Sequence, residues 1–272
     1  MKIYQYTNIE ALAYILKNRT IRFNRLDKVD DIEEGSLESL GVQFCKYVFV
    51  SCWTESEEES IPLWKMYGGD KGGVKIGLEQ QMFQEYLIDN NSLNRLNVTG
   101  SILSKIPPRD MLSAGYFFMP FTDYNNDMFY RHINYVDDVS IYTKDAITLS
   151  NIKGDRGDLK LSTKPFGYYK HKRWAFQNES RFVLYALPMN PLFEGGNAEI
   201  SSLVMQSILG NKQLPFEDYY MHLKEDVINH IEITLSPSAT DAQRIIVDSL
   251  VAKYAPFATI QERGLGRLVR LK

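Results

Sequence analysis

Residues 47–56, "YVFVSCWTES", decide the fold. Apolar or aromatic side chains stand on both faces of this run, and β-branched and aromatic types dominate it. Such a strand has to be covered on both sides, which predicts a central position in a sheet. Upstream, "KIYQYT" (2–7) reads as a first strand. "TIRFN" (20–24) alternates Ile21 and Phe23 against Arg22 and Asn24, the pattern of a half-buried strand. Downstream, "GVKIGLE" (73–79) alternates in the same way, and "VINHIEITLS" (227–236) supplies a further strand.

Helical spacing fills the intervals. Thr7 and Glu10 have the T-x-x-E spacing of a capping box, and Ile9, Leu12, Ile15 and Leu16 follow on one face. "SIPLWKMYGG" (60–69) predicts a short helix opened by Ser60 and Pro62 and closed by Gly68 and Gly69. "EQQMFQEYLI" (79–88) and "SATDAQRIIVDSLVAKYA" (238–255) predict two more. "HINYVDDVSIY" (132–142) reads as a strand, "NIKGDRGDLK" (151–160) as a turn-rich loop and "RLVRL" (267–271) as a final edge strand. The order is irregular, without strict βαβ alternation or a G-x-G-x-x-G turn. It predicts an α+β fold with a central mixed or antiparallel sheet flanked by helices. No linker forces a boundary, so residues 1–272 read as one domain with an irregular insertion around 90–165, including the aromatic segment 116–130.

Composition narrows the function classes. The chain has 272 residues, 44% apolar and 24% charged, and its formal charge of -3 offers no global attraction to nucleic acid or acidic membranes. The start of the chain has no apolar signal region, and no apolar run approaches the ~18 residues of a membrane span. A cytoplasmic protein is expected. Cys45 and Cys52 match no metal spacing and read as buried, reduced thiols. No Walker loop, nucleophile elbow or zinc-finger spacing occurs.

The chemistry-bearing candidates cluster in few places. "KRWAFQNESRFVLY" (172–185) sets Gln177, Glu179 and Arg181 as a polar stripe into an apolar run with Phe176, Phe182 and Leu184. A carboxylate at the start of a buried strand needs a partner, either Arg181 or a ligand. Tyr4, Tyr6 and Thr7 end the first strand, where they pack the core or wall a pocket. Ser51, Trp53, Trp64 and Tyr67 are candidates for stacking and hydroxyl contacts. The acidic connector Asp30, Asp31, Glu33 and Glu34 reads as a solvated loop or as the cation site of a metal-dependent nuclease. His171 lies in a small basic patch, "KHKRW", which reads as solvated surface or as a contact for phosphate.

Five stretches carry a resemblance to known families: "YQYTNIEALAYILKNRTIRFN", "FVSCWTES", "LWKMYGGDKGGVKIGL", "KHKRWAFQNESRFVL" and "IEITLSPSATDAQRIIVDSL". Their order resembles a prokaryotic family of domains of unknown function that ends in W-x-x-E-x-E-x-R, here Trp174, Gln177, Glu179 and Arg181. More distantly, the opening strand, helix and second strand resemble ADP-ribosyltransferase-like domains, including DNA-targeting bacterial toxins. In that superfamily a late Q-x-E or E-x-E is common, and Gln177-Asn178-Glu179 matches Q-x-E as it stands. Tyr6 stands where His or Arg is common, and "SCW" replaces the usual S-T-S around Ser51.

The resemblance implies an ADP-ribosyltransferase-like fold and an enzyme that consumes NAD as substrate, needs no metal and serves as a toxin or phage-defence effector. On that view Glu179 steadies a cationic ribose and Gln177 positions the acceptor. Tyr6, Thr7, Ser51, Trp53, Trp64 and Tyr67 hold the nucleotide, while Arg22 and Arg181 meet its charge. The partners are NAD and an acceptor of unknown identity. The alternative is a nucleotide-sensing or interaction module that keeps the fold without the chemistry.

Overall fold

The computed structural model describes residues 1–68, 72–89, 100–113, 115–153, 156–189, 197–261 and 265. The chain opens with β1 (Lys2–Thr7), α1 (Ile9–Asn18) and β2 (Thr20–Arg25). A short α2 (Ile32–Gly35), the central β3 (Val48–Thr54), α3 (Ile61–Tyr67) and β4 (Val74–Glu79) follow. β4, β1, β3 and the Glu179–Pro188 strand lie side by side in an 11-stranded sheet. Strand Glu232–Leu235 extends it beyond β4, and Thr259–Gln261 pairs parallel at that edge, the one parallel ladder of this mixed sheet among the described residues. The architecture is α+β. Most buried apolar residues from Ile3 to Ala255 form one contiguous core, and Tyr6, Leu63 and Trp64 form a small second cluster.

β3 occupies the centre, as its two apolar faces require. Every residue of the Glu179–Pro188 strand beside it is buried. Seven register pairs join the two, from Glu179 opposite Thr54 to Tyr185 opposite Val48. On its other edge β3 changes partner. Thr54 meets Tyr4 of β1, whereas Val50 and Phe49 meet Asn24 and Arg25 of β2. β1 and β2 diverge between these points, and the sheet splits beside Ser51–Trp53. Backbone direction alternates along a strand. The Val183 amide and the Glu179 carbonyl point away from β3, to Phe129 and Ile133. It follows that Ser51 and Trp53 bond toward the Glu179–Pro188 strand, and that the backbone groups of Cys52 face the split. Gln5 Nε2 reaches across to donate to the Cys52 carbonyl at 2.9 Å.

Two glycines let β4 and its approach lie close to β1. A Cβ at Gly77 would come within 2.8 Å of the Tyr4 ring, and one at Gly73 within 2.3 Å of the Thr7 and Gly68 carbonyl oxygens. Glycine at 77 lets the Tyr4 ring lie against β4.

Several local expectations are corrected. α1 is capped by Asn8, whose side chain accepts from the Ala11 amide at 2.7 Å; Thr7 instead ends β1. Residues 79–88 form no helix. Met82 and Phe83 are both fully buried, the Phe83 backbone bridges to Leu223, and Tyr86–Ile88 is a strand. The strand expected over 132–142 breaks at Ile133: His132 ends the strand Tyr130–His132, and Asn134–Val136 is a separate strand. Asp138 then accepts from the Ser140 amide at 2.9 Å and starts a helical turn. Strands Ile147–Lys153 and Arg156–Leu161 pair where a loop was expected. Helix Asn197–Leu209 and strand Asp218–His222, which pairs with β2, had no sequence signal strong enough to predict them. The edge strand expected at 267–271 lies outside the described residues. Among the described residues, no helix is long and apolar enough to cross a membrane.

Candidate functional site

A cleft of about 960 Å³ opens at the split in the sheet. That is at the upper end of the about 300–1,000 Å³ usual for small-molecule sites. Opposed residues of an antiparallel pair share a face. Thr54 with Glu179 and Cys52 with Arg181 therefore point one way, and Trp53 with Ser180 and Ser51 with Phe182 the other. The first face forms the cleft. The second belongs to the core, where the Phe182 ring meets those of Trp53, Phe83 and Phe129.

Glu179 sits at the base of the cleft, within a buried charge network. Arg181 Nε donates to Glu179 Oε1, and Lys170 Nζ donates to Oε2 at 3.1 Å. Arg181 also grips Glu34 with both terminal nitrogens, at 2.5 and 2.9 Å; neither Arg181 nor Glu34 has exposed side-chain surface. Burial pushes the Glu179 carboxyl upward, but the Arg181 guanidinium and Lys170 ammonium outweigh it and bring the group down to about 2. The Glu179 amide donates to the Tyr135 hydroxyl at 2.9 Å.

The polar beginning of this strand is thereby explained. Gln177 does not lie on the strand. It ends a 3₁₀ segment, Lys172–Gln177, and Asn178 in the left-handed region (φ 42) turns the chain into Glu179. Lys170 Nζ donates to Gln177 Oε1 at 2.7 Å, so one ammonium ties Gln177 to Glu179. The same ammonium lies 4.7 Å from the centre of the Trp174 ring. Trp174, Gln177, Glu179 and Arg181 are thus brought together around one buried cation pair. Phe176, expected among the apolar surroundings, is 45% exposed because it lies on the 3₁₀ segment outside the sheet.

The wall beside Gln177 is polar. Gln177 Nε2 donates to the Tyr67 hydroxyl at 2.7 Å, and that hydroxyl donates to Asp30 Oδ2 at 2.8 Å. The members of the acidic connector go to separate partners. Asp30 takes Tyr67, Asp31 caps α2, Glu33 pairs with Arg173 at 3.5 Å and Glu34 takes Arg181. Among the described residues, no group of three or more His, Cys, Asp and Glu side chains is placed to hold a metal ion. The four carboxylates do not converge, so among the described residues the connector forms no shared cation site; nor is it a solvated loop throughout, since Asp31 and Glu34 are buried.

Tyr6, Thr7, Arg22, Ser51, Trp53, Tyr67, Gln177, Glu179 and Arg181 all border the cleft. Ser51 and Trp53 do so although their side chains turn to the core face. The Ser51 hydroxyl accepts from Trp53 Nε1 at 3.0 Å on the core face. Tyr6 accepts from the Ser60 amide at 2.8 Å through its hydroxyl, and burial raises it to about 12. Trp64, expected to contact a nucleotide, does not border the cleft. It is 1% exposed behind Tyr6, edge-on at 4.8 Å, because α3 turns its apolar side to the sheet. At the mouth, Arg22 Nε donates to Asp218 Oδ1 at 2.8 Å, with Tyr220 and His222 on the neighbouring strand. His132 lies on the opposite face, 3.2 Å from Ser180 Oγ.

Sequence reasoning missed Lys170, Tyr220 and His222, and it named Glu34 and Cys52 only as a member of the acidic connector and as a thiol. The basic patch containing Lys170 reads as solvated, yet only Lys172 and Arg173 are exposed, and each meets an acid, Asp137 and Glu33. Comparison with protein-family models, curated proteins and solved structures finds no match to this chain.

Proposed function

We propose that the cleft binds NAD and that the protein is an ADP-ribosyltransferase with an ADP-ribosyltransferase-like fold, in which Glu179 acts on the nicotinamide-bearing ribose. The observation that carries this reading is the placement of Gln177 and Glu179 side by side at the base of a dinucleotide-sized cleft in the split sheet. Loss of nicotinamide leaves an oxocarbenium-like ribose. An ionised carboxylate beside it accepts the ribose hydroxyl and offsets the developing charge. Tyr6 and Tyr67 offer aromatic surface to the rings, and Arg22 at the mouth meets the diphosphate. A toxin or phage-defence role fits an activity that depletes NAD or marks a macromolecule.

Purified protein should release nicotinamide from NAD, and Glu179→Gln should abolish the release while NAD still binds. Full turnover by Glu179→Gln would remove the proposal.

One observation favours a second reading, a module that binds NAD without cleaving it. Arg181 and Lys170 both hold Glu179 and offset its charge. Calorimetry separates the two. Binding unaffected by Glu179→Gln, with no nicotinamide released, supports the module; absence of any nucleotide binding counts against both.

A further inference from the structure

Glu179 is badly placed to take up a proton. One oxygen faces Arg181 and the other Lys170. The same two cations repel an acceptor that is itself an ammonium or guanidinium. A neutral acceptor with an O–H group is favoured, and it needs another base within the cleft.

Tyr67 and Asp30 supply one. The Tyr67 oxygen takes the Gln177 amide on one lone pair and gives its own proton to Asp30, which leaves a second lone pair for an incoming donor. Asp30 lies exposed at the rim, and among the described residues it enters no ion pair. Gln177 is two residues from Glu179 and bonded to this same hydroxyl, so the relay starts beside the reacting ribose.

We propose that Tyr67 and Asp30 form the proton relay for the acceptor, and that the acceptor is a hydroxyl group or water. This rests on the transferase reading above. In the step, the bond from the ribose C1′ to the nicotinamide nitrogen breaks, and its electron pair stays on that nitrogen. An acceptor oxygen forms the new bond to C1′. Its proton passes to the Tyr67 oxygen as the phenolic proton moves to Asp30. Burial, with Asp30 beside it, raises the Tyr67 hydroxyl, so the phenol stays protonated between turnovers and hands a proton on.

The test measures nicotinamide release from NAD in water with added methanol, for the wild type, Asp30→Asn and Tyr67→Phe. Asparagine still accepts from Tyr67, so the rim keeps its shape. Both variants should bind NAD as the wild type does and release nicotinamide about 100-fold more slowly, the low end of what a general base contributes. Azide, an anion with no proton to lose, should restore release by Asp30→Asn and yield ADP-ribosyl azide, but should not rescue Glu179→Gln. Wild-type release by Asp30→Asn, or no restoration by azide, overturns the relay and leaves the transferase reading standing. A wild type that releases no nicotinamide even with azide overturns both.

Discussion

Cys52 and Arg181 stand opposite each other across the two central strands, at the level where β3 has lost its neighbour on the other edge. The split that makes the cleft and the guanidinium that organises its base are therefore two sides of one strand pair. Any ligand entering the split meets the Cys52 backbone edge on one side and the Glu34–Arg181–Glu179 chain beneath it.

Acid should expose the Glu179 contribution. Its carboxyl is depressed from 4.5 to about 2 in the folded chain, so the stability it adds is fully present above about 4.5 and is lost as pH falls toward 2. Denaturant titrations of the wild type and Glu179→Gln should differ most near neutrality and converge through that window. Parallel curves across it would refute the assignment.

Asn178 carries the turn that sets Gln177 beside Glu179. Asn178→Val should lose about 1–2 kcal/mol, the penalty for a left-handed residue with a branched Cβ, whereas Asn178→Gly should not. Thermal or chemical unfolding checks this, and equal loss in both variants would point to side-chain contacts instead.

Arg22 separates binding from stability. Its pair with Asp218 is largely exposed at the arginine, so Arg22→Ala should change stability by no more than about 1 kcal/mol. NAD affinity should fall about tenfold or more, as expected when a charged hydrogen bond is removed. Unchanged affinity by calorimetry would take Arg22 out of the diphosphate role.

Ser51 is predicted to be dispensable for the ligand. Its hydroxyl serves Trp53 on the core face, so Ser51→Ala should cost about 1 kcal/mol of stability and leave NAD affinity as it was. A strong loss of binding with normal stability would mean that the hydroxyl reaches the cleft.

How much of this was legible in the sequence depended on range. β1 to β4 and the closing helix Asp241–Tyr254 were readable because alternation and helical spacing are local properties. Residues 79–88 were not, since Met82 and Phe83 are fixed by pairing with residues 222–224, far along the chain. The site divides in the same way. Gln177, Glu179 and Arg181 stood out as polar residues in an apolar run. Lys170 did not, because a lysine in a basic patch looks solvated until Trp174, Gln177 and Glu179 close around it. The direction of Ser51 was not legible: a residue beside a cleft need not point into it, and only the register reveals which way it faces.

The pairing of Glu34 with Arg181 also sets a schedule. Glu34 is synthesised 147 residues before its guanidinium leaves the ribosome, and until then its carboxylate has every reason to stay in water. The base of the cleft can close only once most of the chain exists. On the transferase reading, a chain that ends before Arg181 should lack this base and release no nicotinamide, which suits a catalyst that would draw on the NAD pool of the cell translating it.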